Sequence, residues 1–257
     1  MLTEKEMQEI IQAVVGPFVI GHTDLILEYH ISDDLFTDSL LFCENAQYLA
    51  WLSQFDEEKT EATRKYNGLY LLPRSIGSTQ HILISSSQVD NNWSFISTVA
   101  HETKHALNRT GFCKKYCDGD IDRIFDHPLS GYFDVWDEYS ARKTGHHIYC
   151  TVTMPHVMGY SESEICSHMI EHELPIRTNE INSIINSDLR VEERIKEVFG
   201  IIARLSVWKK LFDVDLTGVE GFLLDAMSCF DKNDDIEALD LYKIRDELDK
   251  LVIYLQA

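Results

Sequence analysis

The segment from Phe95 to Leu107 constrains this chain more than any other. It carries His101-Glu102-x-x-His105 inside an apolar frame of Phe95, Ile96, Val99, Ala100, Ala106 and Leu107. Apolar and small residues at that spacing predict a buried helix. On a helix, residues four apart project from nearly one face about one turn apart, so both imidazoles can reach one tetrahedral metal ion. Glu102 then stands beside the metal without ligating it. A zinc ion lowers the pKa of its bound water to about 7, and an adjacent carboxylate can take the proton as the water attacks a polarised carbonyl. One position departs from the pattern: Lys104 is charged where uncharged residues are usual, and it either reaches solvent by snorkelling or weakens the metal site.

A catalytic zinc site needs a third protein ligand and one open position. Asn108 and Gly111 stand where a metzincin would carry Gly and His, which excludes that class. Downstream, the segment Val135 to Arg142 has helical composition and holds Glu138, with the small Ala141 one turn later. A carboxylate with a small residue at i+3 suits a helix that must pack closely and deliver one oxygen. Asp134, Asp137 and His127 are rival third ligands. With its strand, H-E-x-x-H helix and later Glu138-x-x-Ala141, the chain resembles a gluzincin metallopeptidase of the compact ImmA/IrrE type over residues 68 to 147. That resemblance implies a zincin-like fold, zinc held by His101, His105 and Glu138, Glu102 as general base, and a specific regulatory protein as the substrate.

The chain has 257 residues, enough to bury a sizeable core as one large domain or two lobes. A formal net charge of −20 disfavours non-specific binding to nucleic acid or to an anionic membrane, and favours basic partners. Six cysteines lack the dense, regular spacing of a disulfide scaffold, so free thiols in a reducing compartment are expected. Cys113 and Cys117, with Asp118 and Asp120 nearby, offer a second metal pair as the alternative. The N-terminus has no basic segment followed by an apolar core, and no apolar run approaches the ~20 residues that span a bilayer. A cytoplasmic location follows as the default expectation, and the oligomeric state is left open.

Taken in order, residues 3 to 15 predict a helix capped by Thr3 with Glu6 as its partner and ended by Gly16-Pro17. Residues 19 to 31 suggest a strand. An aromatic and leucine-rich helical stretch follows from Asp33 and Asp34 to Phe55, then a charge-dense segment, 56 to 65. Gly68 to Leu72 and Gln80 to Ser85 read as strands, the second being the expected sheet edge along which an extended peptide could lie. Residues 108 to 131 contain Gly111, Gly119 and Pro128 and predict a loop or broken helix. Tyr132, Tyr139, His146, His147 and Tyr149 are candidate donors to a developing oxyanion. From 179 to 257 the apolar periodicity is helical.

A second motif, His168-x-x-Glu171-His172, has the inverted H-x-x-E-H order and also sets two imidazoles four apart. Its segment opens at a capping box, Ser161-x-x-Glu164, and ends at Pro175, and its polar residues outnumber the apolar ones, as in a solvated helix. The expected architecture is α+β. Residues 1 to 160 form a zincin-like domain, with a small, mostly antiparallel sheet on the H-E-x-x-H helix, and residues 161 to 257 form a helical subdomain. The expected function is zinc-dependent peptide hydrolysis of a peptide or protein substrate. The alternative is a catalytically idle zincin-like protein that binds a partner through its acidic surface and C-terminal helices.

Overall fold

The computed structural model describes residues 4–89 and 92–256. The architecture is α+β, mostly helical with a small three-stranded mixed sheet. It divides into two compact units, Met1–His127 and Pro128–Ala257.

In the first unit, helix α1 (Glu4–Val19) places Ile11 and Val15 in the core and packs on the long helix α6 (Asn92–Tyr116). Pro17 lies inside α1, which runs one turn beyond the expected stop at Gly16-Pro17. Thr3, the expected cap, lies outside the described residues. Strand β1 (Ile26–Ser32) leads to α2 (Leu35–Phe42), α3 (Ala46–Leu52) and α4 (Glu57–Arg64). The single helical stretch expected up to Phe55 is two helices, because Asn45 caps α3 by accepting from the Tyr48 amide. The charged segment forms α4, capped by Asp56.

Strands β2 (Gly68–Tyr70) and β3 (Thr79–Ser85) complete the sheet in the order β1-β3-β2, with β1 parallel and β2 antiparallel to β3. The sheet is therefore mixed, not mostly antiparallel. The connection from β1 to β3 passes through three helices, and such a long crossover permits a parallel pair. Strand β3 is also central, so the expectation that it forms a peptide-binding edge is corrected: its backbone is already paired on both sides. One face of the sheet meets α6, and the other packs Leu69 and Leu83 with Leu35, Cys43, Leu52 and Leu71.

A four-residue turn of helix, α5 (Ser86–Val89), precedes α6. Helix α6 runs unbroken through Gly111 to Tyr116, where a loop or broken helix was expected. Phe112 and Cys113 are fully buried, and their burial outweighs the modest helix penalty of one glycine. Gly119 adopts a positive φ of 81° just beyond, the conformation that lets the chain turn away, and a short α7 (Arg123–Asp126) closes the unit.

The second unit is helical: α8 (Ser130–Ile148), a π-helical continuation (Tyr149–Val157), α9 (Glu162–His168), a π turn (Met169–Glu173), α10 (Leu174–Ile185), α11 (Val191–Phe212), α12 (Gly221–Lys232) and α13 (Leu241–Gln256). The Ser161/Glu164 capping box forms. The chain does not stop at Pro175 as expected: the widened π turn before it and the place of Pro175 in the first turn of α10 spare the ring the hydrogen bond it cannot donate. Tyr139 meets Phe199 and Phe230 edge to face in the core, and those two rings are tilted against each other. No helix among the described residues is long and apolar enough to cross a membrane.

Candidate metal centre

Helix α6 holds the motif residues in the expected mutual arrangement. His101 and His105 stand edge to face with ring centroids 4.7 Å apart, and their Nε2 atoms are 3.0 Å from each other. Around a tetrahedral zinc with bonds of about 2.05 Å, two nitrogens lie about 3.3 Å apart, so a few tenths of an ångström separate the pair from a ligating geometry. The donor chemistry and the convergence of the two nitrogens are those of groups that could hold a metal ion. Glu102 Oε1 lies 4.0 Å from His101 Nε2. Lys104 is only partly buried, so its stem can run toward solvent.

Glu102 is 6% exposed, and its position is set by the sheet. A Cβ built on Gly68 would lie 2.8 Å from Glu102 Cγ and 2.9 Å from both Glu102 Oε1 and Thr98 Cγ2. Only a glycine in β2 lets the strand approach the carboxylate this closely. Two buried hydrogen-bond systems fix α6 against the sheet. Tyr29 of β1 bonds through its hydroxyl to Thr103 Oγ1 at 2.7 Å, and Thr103 also donates to the Val99 carbonyl. Tyr70 donates to Gln80 Oε1 at 2.8 Å, and Gln80 donates to Thr110 Oγ1 at 3.0 Å. Burial and then the nearby Glu102 charge push the Tyr29 phenol well above its ordinary range, so it stays neutral. The bonds that tie α6 to the sheet were not legible in the sequence, since Tyr29 lies 74 positions from Thr103 and Gln80 lies 30 from Thr110.

Glu138 belongs to the second unit, on α8. It is partly exposed and ion-paired with Arg142 one turn later, while Ala141 is fully buried. Glycine at 200 on α11 makes room for Arg142, whose guanidinium a side chain there would strike. Among the rivals, Asp137 is fully buried, Asp134 is exposed, and His127 lies edge-on to Phe112 at 5.3 Å.

Most candidate oxyanion donors are engaged inside the second unit. Tyr132 donates to Asp249, Tyr139 donates to Asp231, and His146 Nε2 accepts from Trp208 Nε1 at 2.7 Å while stacking on Tyr149. Burial, with the positive Arg204 and Arg177 behind it, pushes the His146 pKa down to about 3. His147 is partly buried and depressed for the same first reason. His168, Glu171 and His172 all face solvent, with the two imidazole centroids 5.7 Å apart. All six cysteines are free, and burial raises the Cys113 thiol to about 12, which disfavours the thiolate that metal binding needs.

No protein-family model, curated protein or solved structure matches the chain.

Proposed function

We propose that the chain is a zinc-dependent metallopeptidase of zincin-like fold, with His101 and His105 as two metal ligands, Glu138 as the third and Glu102 as the general base. The observation that carries this reading is the convergence of two imidazole Nε2 atoms at 3.0 Å beside a carboxylate that a strand glycine holds in place. When bound, zinc supplies a Lewis-acid charge that acidifies water and polarises a carbonyl.

The remaining work falls to this chain's own groups. Glu102 receives the proton of the attacking water on its carboxylate and returns it to the leaving amine. The close approach of Gly68 restricts its rotamers, so little orientation is lost when substrate arrives. Tyr29 and Thr103 hold α6 in register with β1, which keeps both histidines and Glu102 at a constant distance from the sheet. The proposed setting is the cytoplasm and the proposed substrate is a peptide or a protein, with specificity set by pocket residues.

The test compares wild type with Glu102→Gln for bound zinc by elemental analysis and for hydrolysis of a mixture of quenched fluorescent peptides. Retained zinc with hydrolysis reduced roughly 10²–10⁴-fold is the expected outcome. Unchanged hydrolysis in the variant would refute the mechanism. If the zinc-loaded wild type left every peptide intact, the catalytically idle, partner-binding alternative would take its place.

A further inference from the structure

The sheet face that turns away from α6 carries a second convergence of metal-ligating groups, unrelated to the H-E-x-x-H motif. Tyr29 points to α6, where it meets Thr103, so its neighbours Glu28 and His30 project from the other side of β1. The parallel register sets Glu28 opposite His81 of β3. His30 Nε2 lies 3.0 Å from His81 Nδ1, and Glu28 Oε2 lies 3.7 Å from the same His81 nitrogen. One ligand atom from each of the three residues falls within 4.8 Å of the others. Phe42, at the end of α2, stacks on the His30 ring at 4.1 Å and walls the pair on one side.

We infer that Glu28, His30 and His81 form a second binding site for a divalent first-row transition cation, zinc foremost, that ties the edge strand β1 to β3. Two imidazoles and one carboxylate are a ligand set that zinc accepts, with a fourth position for water on the exposed Glu28 side. The nitrogen separation of 3.0 Å needs to open by only a few tenths of an ångström to match about 3.3 Å for two tetrahedral nitrogens. One ring nitrogen now donates its proton to the other, and a cation in place of that proton would be bound by both. His81 has a side chain only 13% exposed, so its orientation is set by the sheet and costs little to fix on binding. The site needs nothing from His101, His105 or Glu138.

The test uses the full-length chain carrying His101→Ala and His105→Ala, checked for folding by circular dichroism, and titrates it with Co²⁺ as the spectroscopic stand-in for zinc. The expected result is one equivalent of Co²⁺ with the visible absorption of a four-coordinate ion, lost on adding His30→Ala and weakened by Glu28→Gln. Thermal melting with and without Zn²⁺ gives a second readout. The metal should raise the midpoint of the His101/His105 variant and leave that of the further His30→Ala variant unchanged. Glu28 is exposed, so Glu28→Gln leaves the core untouched and serves if His30→Ala does not fold. No Co²⁺ bound by the folded His101/His105 variant, or binding unaltered by both His30→Ala and Glu28→Gln, overturns this site while leaving the motif on α6 untouched. A wild-type chain that binds no more Co²⁺ than the His101/His105 variant would instead count against the peptidase reading.

Discussion

Adding one methyl group at Gly68 tests the packing that positions Glu102. In Gly68→Ala the new Cβ would meet Glu102 Cγ at 2.8 Å and Thr98 Cγ2 at 2.9 Å. Carbon atoms rest at about 3.5 Å or more, so the contact is short by about 0.7 Å and either β2 or the Glu102 side chain must move. Overpacking of this kind costs about 1–3 kcal/mol, against which alanine recovers about 0.5–1 kcal/mol of the strand penalty of glycine. The net expectation is a loss of about 1–2 kcal/mol, which at a typical urea slope lowers the unfolding midpoint by about 1 M or slightly less. On the proposed mechanism, a shift of Glu102 by several tenths of an ångström should also cut hydrolysis roughly 10- to 100-fold with zinc retained. Thr98→Ser in the same background removes one of the clashing atoms and should restore part of the stability, whereas Gly131→Ala, where a Cβ meets nothing within 4 Å, should cost nothing. Urea unfolding followed by circular dichroism is the assay. A Gly68→Ala protein that unfolds at the wild-type midpoint would refute the close approach of β2 to Glu102, whatever the chemistry at the site.

Two further predictions concern the second unit. His146 has an ordinary pKa of 6.5 and is held down to about 3, so its stabilising effect is complete above pH 6.5 and is lost as the pH falls toward 3. Over that window the unfolded chain takes up a proton that the folded one refuses, and the slope from this residue is about 1.4 kcal/mol per pH unit. Melting of His146→Gln, which keeps an acceptor for Trp208, should show a shallower loss on acidification, and an unchanged slope would count against the buried neutral imidazole. Lys143 is 12% exposed and bridges Asp231 and Asp234, which keep about a third of their surface in water. Lys143→Met should therefore destabilise by about 2–3 kcal/mol, at or below the lower end of the cost of breaking a buried pair, and Asp231→Asn in the same chain should return part of it. Chemical denaturation of the single and double variants checks the coupling, and strict additivity would dismiss the bridge.

Much of the candidate centre was legible because it is local. His101, Glu102 and His105 lie within five residues, and the geometry of a helix alone brings two imidazoles at i and i+4 to one side. The Ser161/Glu164 capping box formed for the same reason, since its partners are three residues apart. Boundaries were less legible wherever packing overrode a local signal. Gly111 did not interrupt α6, because Phe112 and Cys113 are buried beside it, and Pro17 did not stop α1.

By itself, then, the sequence determined the helix that carries the motif, the face on which its two imidazoles stand and the helical character of the chain beyond residue 179. These depend on the 3.6-residue period, which is written in consecutive positions. Only the tertiary structure decided that β3 is central, that Gly68 meets Glu102, and that His30 and His81, 51 positions apart, come within 3.0 Å. Such meetings depend on how strands separated by three helices are paired, and the interactions that choose the pairing are spread over the whole core instead of residing in the residues it brings together.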